Sequence, residues 1–429
     1  MPHDVALDAR PNTVAPDVTL AESTVLLARQ PIFDRKLEVW GYELLYRSGN
    51  ANQYDGNEPS GRATARTIVN ALLNIGLDDL VGGKLAFINF DREMLLSEFA
   101  WTLPRDKVVI EILETVAADP EILAVCSAAR KRGFKLALDD VDESAYGNPM
   151  ADLADIIKVD FRATSNAARQ RLARRYSNGK TTLLAEKVET EEEFRQATSL
   201  GFQYCQGYFF ARPTLVSGRP LPVAAVSLLR ILGQLSDPDL SVKHLEAAVR
   251  QQVSLAHKLI RYMNSAAFTW KSPIQSIQHA LALLGTEQLR KIVSLMIVAD
   301  LSGNGPQELL VKALLRARMA ELVSPAFGLE DKSGTLFLMG LFSLLDVILV
   351  RPMEEILRGL NLEAEICDVL LDRSPKDSPI RRLHELVIAY EAADWPALVT
   401  QVGHRHVDLN EISVFHRQAV RWADEVSHL

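Results

Sequence analysis

The chain has 429 residues, of which 48% are hydrophobic and 24% charged, and that length and balance exclude a disordered or fibrous protein and allow two or three domains with buried cores. The formal net charge of -8 disfavours bulk binding to nucleic acid or to an anionic membrane, and leaves room only for a local basic pocket suited to a phosphate ligand. The cysteines Cys126, Cys205 and Cys367 are odd in number and far apart, which excludes a disulfide or zinc framework and fits a reducing compartment.

Residues 1–24 carry Asp4, Asp8, Asp17 and Glu22 and no apolar core, so they read as a disordered tail rather than a secretory signal. From residue 25 to 213 short apolar runs alternate with helix-period stretches. The predicted strands are Leu26–Ile32, Trp40–Tyr46, Leu85–Phe90, Val108–Leu113, Lys135–Leu138, Ile156–Val159, Thr182–Ala185 and Tyr204–Phe210. Continuous apolar runs of this kind suit parallel strands covered on both faces. Helical patterns over Ala63–Ile75, Pro120–Arg132, Ser165–Arg175 and Glu191–Leu200 separate them. The fold class predicted is α/β plus all-α, beginning with a (β/α)8 barrel. No helix-period stretch lies between the first two runs, only a short connection with Asp34-Arg35-Lys36 as its polar part, so they form a hairpin and the barrel carries one antiparallel strand.

A Pro/Gly/Ser linker over 214–222 follows. Residues 223–429 then lose strand character and read as an all-α domain, with helix-period segments Leu245–Asn264, Ile277–Leu284 and Glu287–Ala299. The apolar stretch Leu336–Val350 contains Asp346, is too short to span a bilayer and reads as a buried helix. The expected setting is the cytoplasm, with no membrane partner and no nucleic acid.

In a (β/α)8 barrel the chemistry sits at the carboxyl ends of the strands. Glu43, Asn89, Glu111, Asp139, Asp140, Lys158 and Glu186 lie at or just past such ends, and Gln206 lies on the last strand. Five carboxylates, an amide oxygen and a lysine make a set that suits hard divalent cations and a phosphodiester. A single acidic residue there is more commonly a helix cap or a solvated loop residue. The complete set in chain order is not explained that way.

These motifs resemble the EAL family. Arg29-Gln30-Pro31-Ile32 followed by Gly41-Tyr42-Glu43-Leu44-Leu45-Tyr46-Arg47 is similar to its opening, with Glu43 at the name-giving glutamate and Leu44 in place of alanine. Phe87-Ile88-Asn89-Phe90, Glu111-Ile112-Leu113-Glu114, Leu138-Asp139-Asp140, Ile157-Lys158-Val159-Asp160, Ala185-Glu186-Lys187-Val188-Glu189-Thr190 and Gln206-Gly207-Tyr208-Phe209-Phe210-Ala211-Arg212-Pro213 resemble its later motifs, so the likeness spans 25–213. The resemblance implies hydrolysis of cyclic di-GMP to pGpG with two magnesium or manganese ions. By the same carry-over Glu43, Asn89, Glu111 and Asp139 bind metal, Asp140 and Glu186 serve the second ion, Lys158 orders the nucleophilic water, Gln206 supports the site, and Gln30 and Arg47 touch the nucleotide. One loop departs from the family. Where active members read Phe-Gly-Thr-Gly-Tyr-Ser-Ser, this chain has Val141-Asp142-Glu143-Ser144-Ala145-Tyr146-Gly147, and Lys187 replaces a glycine. Acidic residues at flexible positions beside the metals are expected to slow hydrolysis.

In the second half Leu259-Ile260-Arg261-Tyr262-Met263-Asn264-Ser265-Ala266-Ala267-Phe268 and Ser276-Ile277-Gln278-His279-Ala280-Leu281-Ala282-Leu283-Leu284-Gly285 resemble the HDOD family, helical relatives of the HD phosphohydrolases that lack their metal ligands. No histidine lies between Ala280 and Leu383, and Ser343-Leu344 stands where the His-Asp pair would be, so this half is not expected to hydrolyse nucleotides. Asn264 reads as a helix-end cap or buried hydrogen-bonding residue, and His404, His406 and Asp408 as a solvated loop. The combined expectation is a regulator whose barrel binds or weakly processes cyclic di-GMP, whose HDOD-like half contacts a protein partner, and which leaves room for a homodimer; the alternatives are an active magnesium- or manganese-dependent phosphodiesterase and a scaffold that neither binds nor hydrolyses the nucleotide.

Overall fold

The computed structural model describes residues 25–48, 76–97, 101–143, 148–176, 179–207, 221–237, 240–265, 272–303, 305–402 and 408–427. Eight strands close into one barrel in chain order: β1 (Val25–Asp34), β2 (Val39–Ser48), β3 (Leu85–Phe90), β4 (Val108–Ile112), β5 (Lys135–Leu138), β6 (Ile156–Asp160), β7 (Thr182–Glu186) and β8 (Tyr204–Gln206). Strand β1 runs antiparallel to both β2 and β8, and the remaining neighbours are parallel, as the short β1–β2 connection required. The last strand stops at Gln206 rather than Phe210, and positions 208–210 lie outside the described residues, as do the expected helix over 63–75, the tail over 1–24 and most of the linker.

Between the strands stand α1 (Leu77–Val81), α2 (Arg92–Leu96), α3 (Pro120–Lys131), α4 (Pro149–Leu153), α5 (Asn166–Tyr176) and α6 (Glu191–Leu200). Their starts follow capping rules. Asp119 accepts backbone N–H bonds at the start of α3, and Thr190 with Glu193 forms a reciprocal capping box on α6. Gly207 is required by close approach. A Cβ there would lie 2.0 Å from the Val188 carbonyl oxygen, because the turn after β7 passes directly beside β8.

The barrel interior has two layers. Ile32, Phe87, Val109, Ala137, Ile156 and Leu184 form an apolar layer, closed at the amino end by Trp40, Leu85 and Tyr204. The Trp40 and Tyr204 rings stack with centroids 3.7 Å apart. Since side chains alternate along a strand, the residue two positions on points inward as well. That step leads from Phe87 to Asn89, Val109 to Glu111, Ala137 to Asp139, Ile156 to Lys158, Leu184 to Glu186 and Tyr204 to Gln206.

The second half is helical throughout its described residues: α7 (Val223–Leu235), α8 (Val242–Arg250), α9 (Val253–Met263), α10 (Ile277–Ser302), α11 (Gln307–Val323), α12 (Ser333–Phe342), α13 (Leu345–Leu349), α14 (Met353–Leu357), α15 (Ala364–Leu370), α16 (Pro379–Glu391), α17 (Trp395–Val402) and α18 (Leu409–Val426). Two expectations are corrected. Leu245–Asn264 is two helices broken at Gln251–Gln252, and Leu336–Val350 is two helices broken at Ser343–Leu344. The predicted break between Ile277–Leu284 and Glu287–Ala299 is present as a kink at Gly285, φ +77. The stretch Glu330–Leu349 is long and apolar enough to cross a membrane by composition, yet 61% of its most apolar window is buried inside the fold.

Because β1 and β2 share a tight turn with no crossover helix, the outer face of β1 needs another cover. Helices α16 and α18 supply it. Arg29, on that outer face, forms a fork with Asp424 of α18 at 2.8 and 2.9 Å, donates to the Leu80 carbonyl at 2.7 Å and lies over the Tyr42 ring at 4.4 Å. Tyr42 in turn donates to Glu308 of α11 at 2.9 Å. The two halves therefore meet through a buried polar network on the back of the strands that carry Gln30 and Glu43.

Candidate functional site

The carboxyl ends of the strands bring Glu43, Asn89, Glu111, Asp139, Lys158, Glu186 and Gln206 to one mouth. Lys158, wholly buried, is the hub. Its Nζ lies 2.7 Å from Glu186 Oε1, 3.2 Å from Asp139 Oδ1 and 3.5 Å from Glu43 Oε2, and it donates to Glu111 Oε1. Glu43 is held from both sides: Asn89 Nδ2 donates to it at 3.0 Å and Gln206 Nε2 at 2.7 Å.

The electrostatics follow from burial. Burial works against the Lys158 ammonium, but Glu111, Glu186, Glu43 and Asp139 outweigh it and hold the amine charged well above its usual range. Burial first, and then the charge of Glu43, pushes the Glu111 carboxyl well above its ordinary value despite Lys158. Burial pushes Glu186 up to about 8 against the pull of Lys158, with Asp139 and Glu43 adding to the rise. One ammonium cannot balance four ionised carboxylates, and the floor of the mouth answers by pushing Glu111 and Glu186 towards their protonated forms.

The donor set fits a hard divalent cation. Oxygens of Glu43, Glu111 and Glu186 lie within 4.8 Å of one another, and so do those of Glu114, Asp139 and Asp140. Asn89 Oδ1, Glu111 Oε2 and Gln206 Oε1 are buried without a hydrogen-bond partner, which is costly unless something else takes the lone pairs.

Other expected residues sit further out. Asp140 is exposed in the second acidic group, and burial together with Asp139 raises its carboxyl. Gln30 pairs with Glu43 across β1 and β2 and is half-buried. Arg47, on β2, pairs with Leu26 of β1, and its side chain lies outside the described residues. In the altered loop Val141 is buried, and Glu143 is paired on the surface with the Arg171 guanidinium of α5, which lowers its carboxyl. Residues 144–147 lie outside the described residues.

Two residues carried no assigned role in the sequence reading. Asp160 follows Lys158 by two positions, hence on the same inward face, and accepts from Lys187 Nζ at 2.5 Å. Glu114 joins Asp139 and Asp140. Strand alternation was the available signal for Asp160, whereas nothing local distinguished Glu114 from a solvated loop carboxylate.

In the helical half Asn264 is a latch. Its Nδ2 donates to the carbonyls of Ile260 at 2.9 Å and Ile274 at 2.8 Å, and its Oδ1 accepts from the Ile274 N–H at 2.7 Å. Ser343 accepts from Arg316 at 3.2 Å, beside a buried cluster in which Arg316 and Lys312 bind Glu391 at 2.6 and 3.1 Å. Asp408 caps α18, and His404 and His406 lie outside the described residues.

An eight-stranded barrel with one antiparallel strand, an acidic mouth built around a buried lysine, and a helical second half define a two-domain architecture. The EAL domain model matches residues 85–213 and the HDOD domain model residues 221–366. A Bacillus subtilis protein described as "Uncharacterized protein YuxH" is 33% identical over 93% of this chain and 98% of its own length. The Vibrio cholerae protein "Cyclic di-GMP phosphodiesterase CdgJ" is 32% identical over 95% of this chain and 94% of its own. The chain belongs to the family of proteins that join an EAL domain to an HDOD domain. Among solved structures, Klebsiella pneumoniae BlrP1 in a manganese/cy-diGMP complex is 25% identical, with a TM-score of 0.36, over 43% of this chain and 54% of that one, so the chain spans about half its length.

Proposed function

We propose that this chain is a cytoplasmic cyclic-di-GMP signalling protein. Its barrel mouth binds cyclic di-GMP with divalent cations, magnesium or manganese, and hydrolyses it slowly to pGpG. The observation that carries the reading is the charge-deficient mouth: Lys158 among four carboxylates, flanked by buried oxygens without hydrogen-bond partners. The relative from Vibrio cholerae, named a cyclic di-GMP phosphodiesterase and similar over almost its whole length, supports the same substrate.

Glu43, Asn89, Glu111 and Asp139 are the residues suited to hold one divalent ion, with Asp140 and Glu186 suited to a second. A bound divalent ion supplies a Lewis acid for the phosphodiester oxygens and lowers the pKa of its water. The chain's own residues do the rest. Asn89 and Gln206 fix the Glu43 carboxylate, so no reorganisation is needed when substrate arrives. Lys158, immobile at the floor, steadies negative charge at the attacking oxygen. Gln30, and Arg47 at the end of β2, are assigned to the nucleotide. The loop argument for slow turnover now rests on the lost glycines, since Glu143 is paired with Arg171. The helical half is assigned to a protein partner.

The test is turnover and binding of cyclic di-GMP by the purified full chain with magnesium, with manganese and after chelation. Slow metal-dependent turnover, removed by Glu43→Ala, is expected. Absence of both binding and turnover with either metal overturns the reading. The retained donor set favours a second reading, a fully active phosphodiesterase. Fast turnover, unchanged when Val141–Gly147 is exchanged for the glycine-rich loop of active members, would select it.

A further inference from the structure

Two turns at the mouth place non-glycine residues in the left-handed region, where side chains are disfavoured. Asp140, after β5, has φ +44, and Lys187, after β7, has φ +52. The two face each other. Lys187 Nζ lies 2.5 Å from Asp160 Oδ2 and 3.8 Å from Asp140 Oδ1. Asp160 is itself fixed, because its Oδ1 accepts the backbone N–H groups of Arg162 at 2.6 Å and Ala163 at 2.9 Å. Asp140 also belongs to the group in which oxygens of Glu114, Asp139 and Asp140 approach within 4.8 Å of one another. The mouth thus holds two ammonium groups. Lys158 stands at the floor among Glu43, Glu111, Asp139 and Glu186, and Lys187 stands at the rim between Asp140 and Asp160.

We propose that Lys187 is a tethered cation standing where a second divalent ion would draw on Asp140, so that the mouth takes up one divalent ion tightly rather than two. This rests on the divalent-ion reading of the mouth given above. An ion entering at Asp140 meets a like charge a few ångströms away, and displacing that charge also breaks the Lys187–Asp160 pair. Because Lys187 is part of the chain, it competes at a fixed local concentration however dilute the protein. The neighbouring position, lined by Glu43, Asn89 and Glu111, has Lys158 rather than Lys187 as its cation and retains Asn89 Oδ1 and Glu111 Oε2 without hydrogen-bond partners. One ion in place of two removes half of the clamp that stabilises attacking and leaving oxygens in a two-ion site. Slow turnover then follows from the rim lysine as well as from the altered loop.

The experiment counts manganese ions on the full chain by calorimetric titration and reads their spacing by electron paramagnetic resonance. Wild type and Lys187→Arg, which keeps the cation, should bind one equivalent tightly and give the spectrum of isolated ions. Lys187→Gly, which suits the left-handed turn, and Lys187→Met, which keeps the bulk, should bind a second equivalent at least ten-fold more tightly than wild type does. Their spectra should show coupling between ions about 3.5–4 Å apart. Two equally tight equivalents on wild type would overturn the proposal, as would Gly and Met variants that titrate like wild type. A wild-type chain that binds no manganese would overturn the divalent-ion reading itself and this inference with it.

Discussion

Removing the Asp424 carboxylate should loosen the helical half from the barrel. The Arg29 side chain is 6% exposed and Asp424 26%. The guanidinium is satisfied by both Asp424 oxygens, at 2.8 and 2.9 Å, and by the Leu80 carbonyl, and it rests on the Tyr42 ring. Two unit charges about 4 Å apart attract by about 4 kcal/mol at an effective dielectric near 20. Breaking one partner of a buried pair typically costs about 3–5 kcal/mol, since the remaining charge stays desolvated. Leu80, Tyr42 and the partial exposure of Asp424 soften that, so Asp424→Ala should cost about 3 kcal/mol. The assay is urea unfolding of the full chain, followed by circular dichroism and by tryptophan fluorescence. Trp40 and Trp101 report the barrel, and Trp395 and Trp422 the helices. A double-mutant cycle with Arg29→Met should return a coupling energy of about 2 kcal/mol. A cost below about 0.5 kcal/mol for Asp424→Ala, or additive single effects, would show that the fork does not hold the halves together.

Three further outcomes are expected. Lys158→Met leaves four carboxylates around an uncharged side chain, so turnover should fall at least ~100-fold, and manganese should raise the melting temperature more in the variant than in wild type. Equal stabilisation of both by manganese would contradict this. Asn264→Ala should destabilise the chain by about 2–3 kcal/mol through its three backbone bonds while leaving cyclic-di-GMP turnover unchanged, and a selective loss of turnover would give Asn264 a role at the site. Burial holds His416 neutral, pushing it down to about 3, against about 6.5 in the unfolded chain. The unfolded state alone therefore takes up that proton as pH falls below about 6.5, and stability is lost on acidification until about pH 3. Glu186, pushed up to about 8, acts in the opposite sense, so the informative quantity is a difference between proteins. Wild type should lose about 1.4 kcal/mol per pH unit more than His416→Gln between pH 6 and 4. Parallel stability profiles would mean that His416 is not buried neutral.

The mouth was legible in the sequence because strand alternation and chain order both constrain it. An inward apolar residue followed two positions later by a polar one recurs on six strands, and no helix or loop produces that coincidence repeatedly. The antiparallel β1 was legible for a similar reason, since the four residues between Asp34 and Val39 cannot hold a crossover helix. What escaped was everything that depends on which distant element covers a face. Arg29 stands in the same four-residue motif as Gln30, but successive residues of a strand point to opposite sides. One side chain therefore faces the mouth and the other an ion pair 395 positions away. Nothing local to Arg29 names Asp424. Glu143 is the clearest instance. Read locally it is a negative charge added beside a metal site, and read in the fold it is a carboxylate clasped by Arg171 on a neighbouring helix. Lys187 runs the other way, because a substitution that looks like the loss of a glycine brings a cation to Asp160 and Asp140. The sign of the charge that a loop presents to an anionic substrate is set by such partners. Whether this mouth is slow is accordingly a question about Lys187 and its two aspartates as much as about the loop sequence itself.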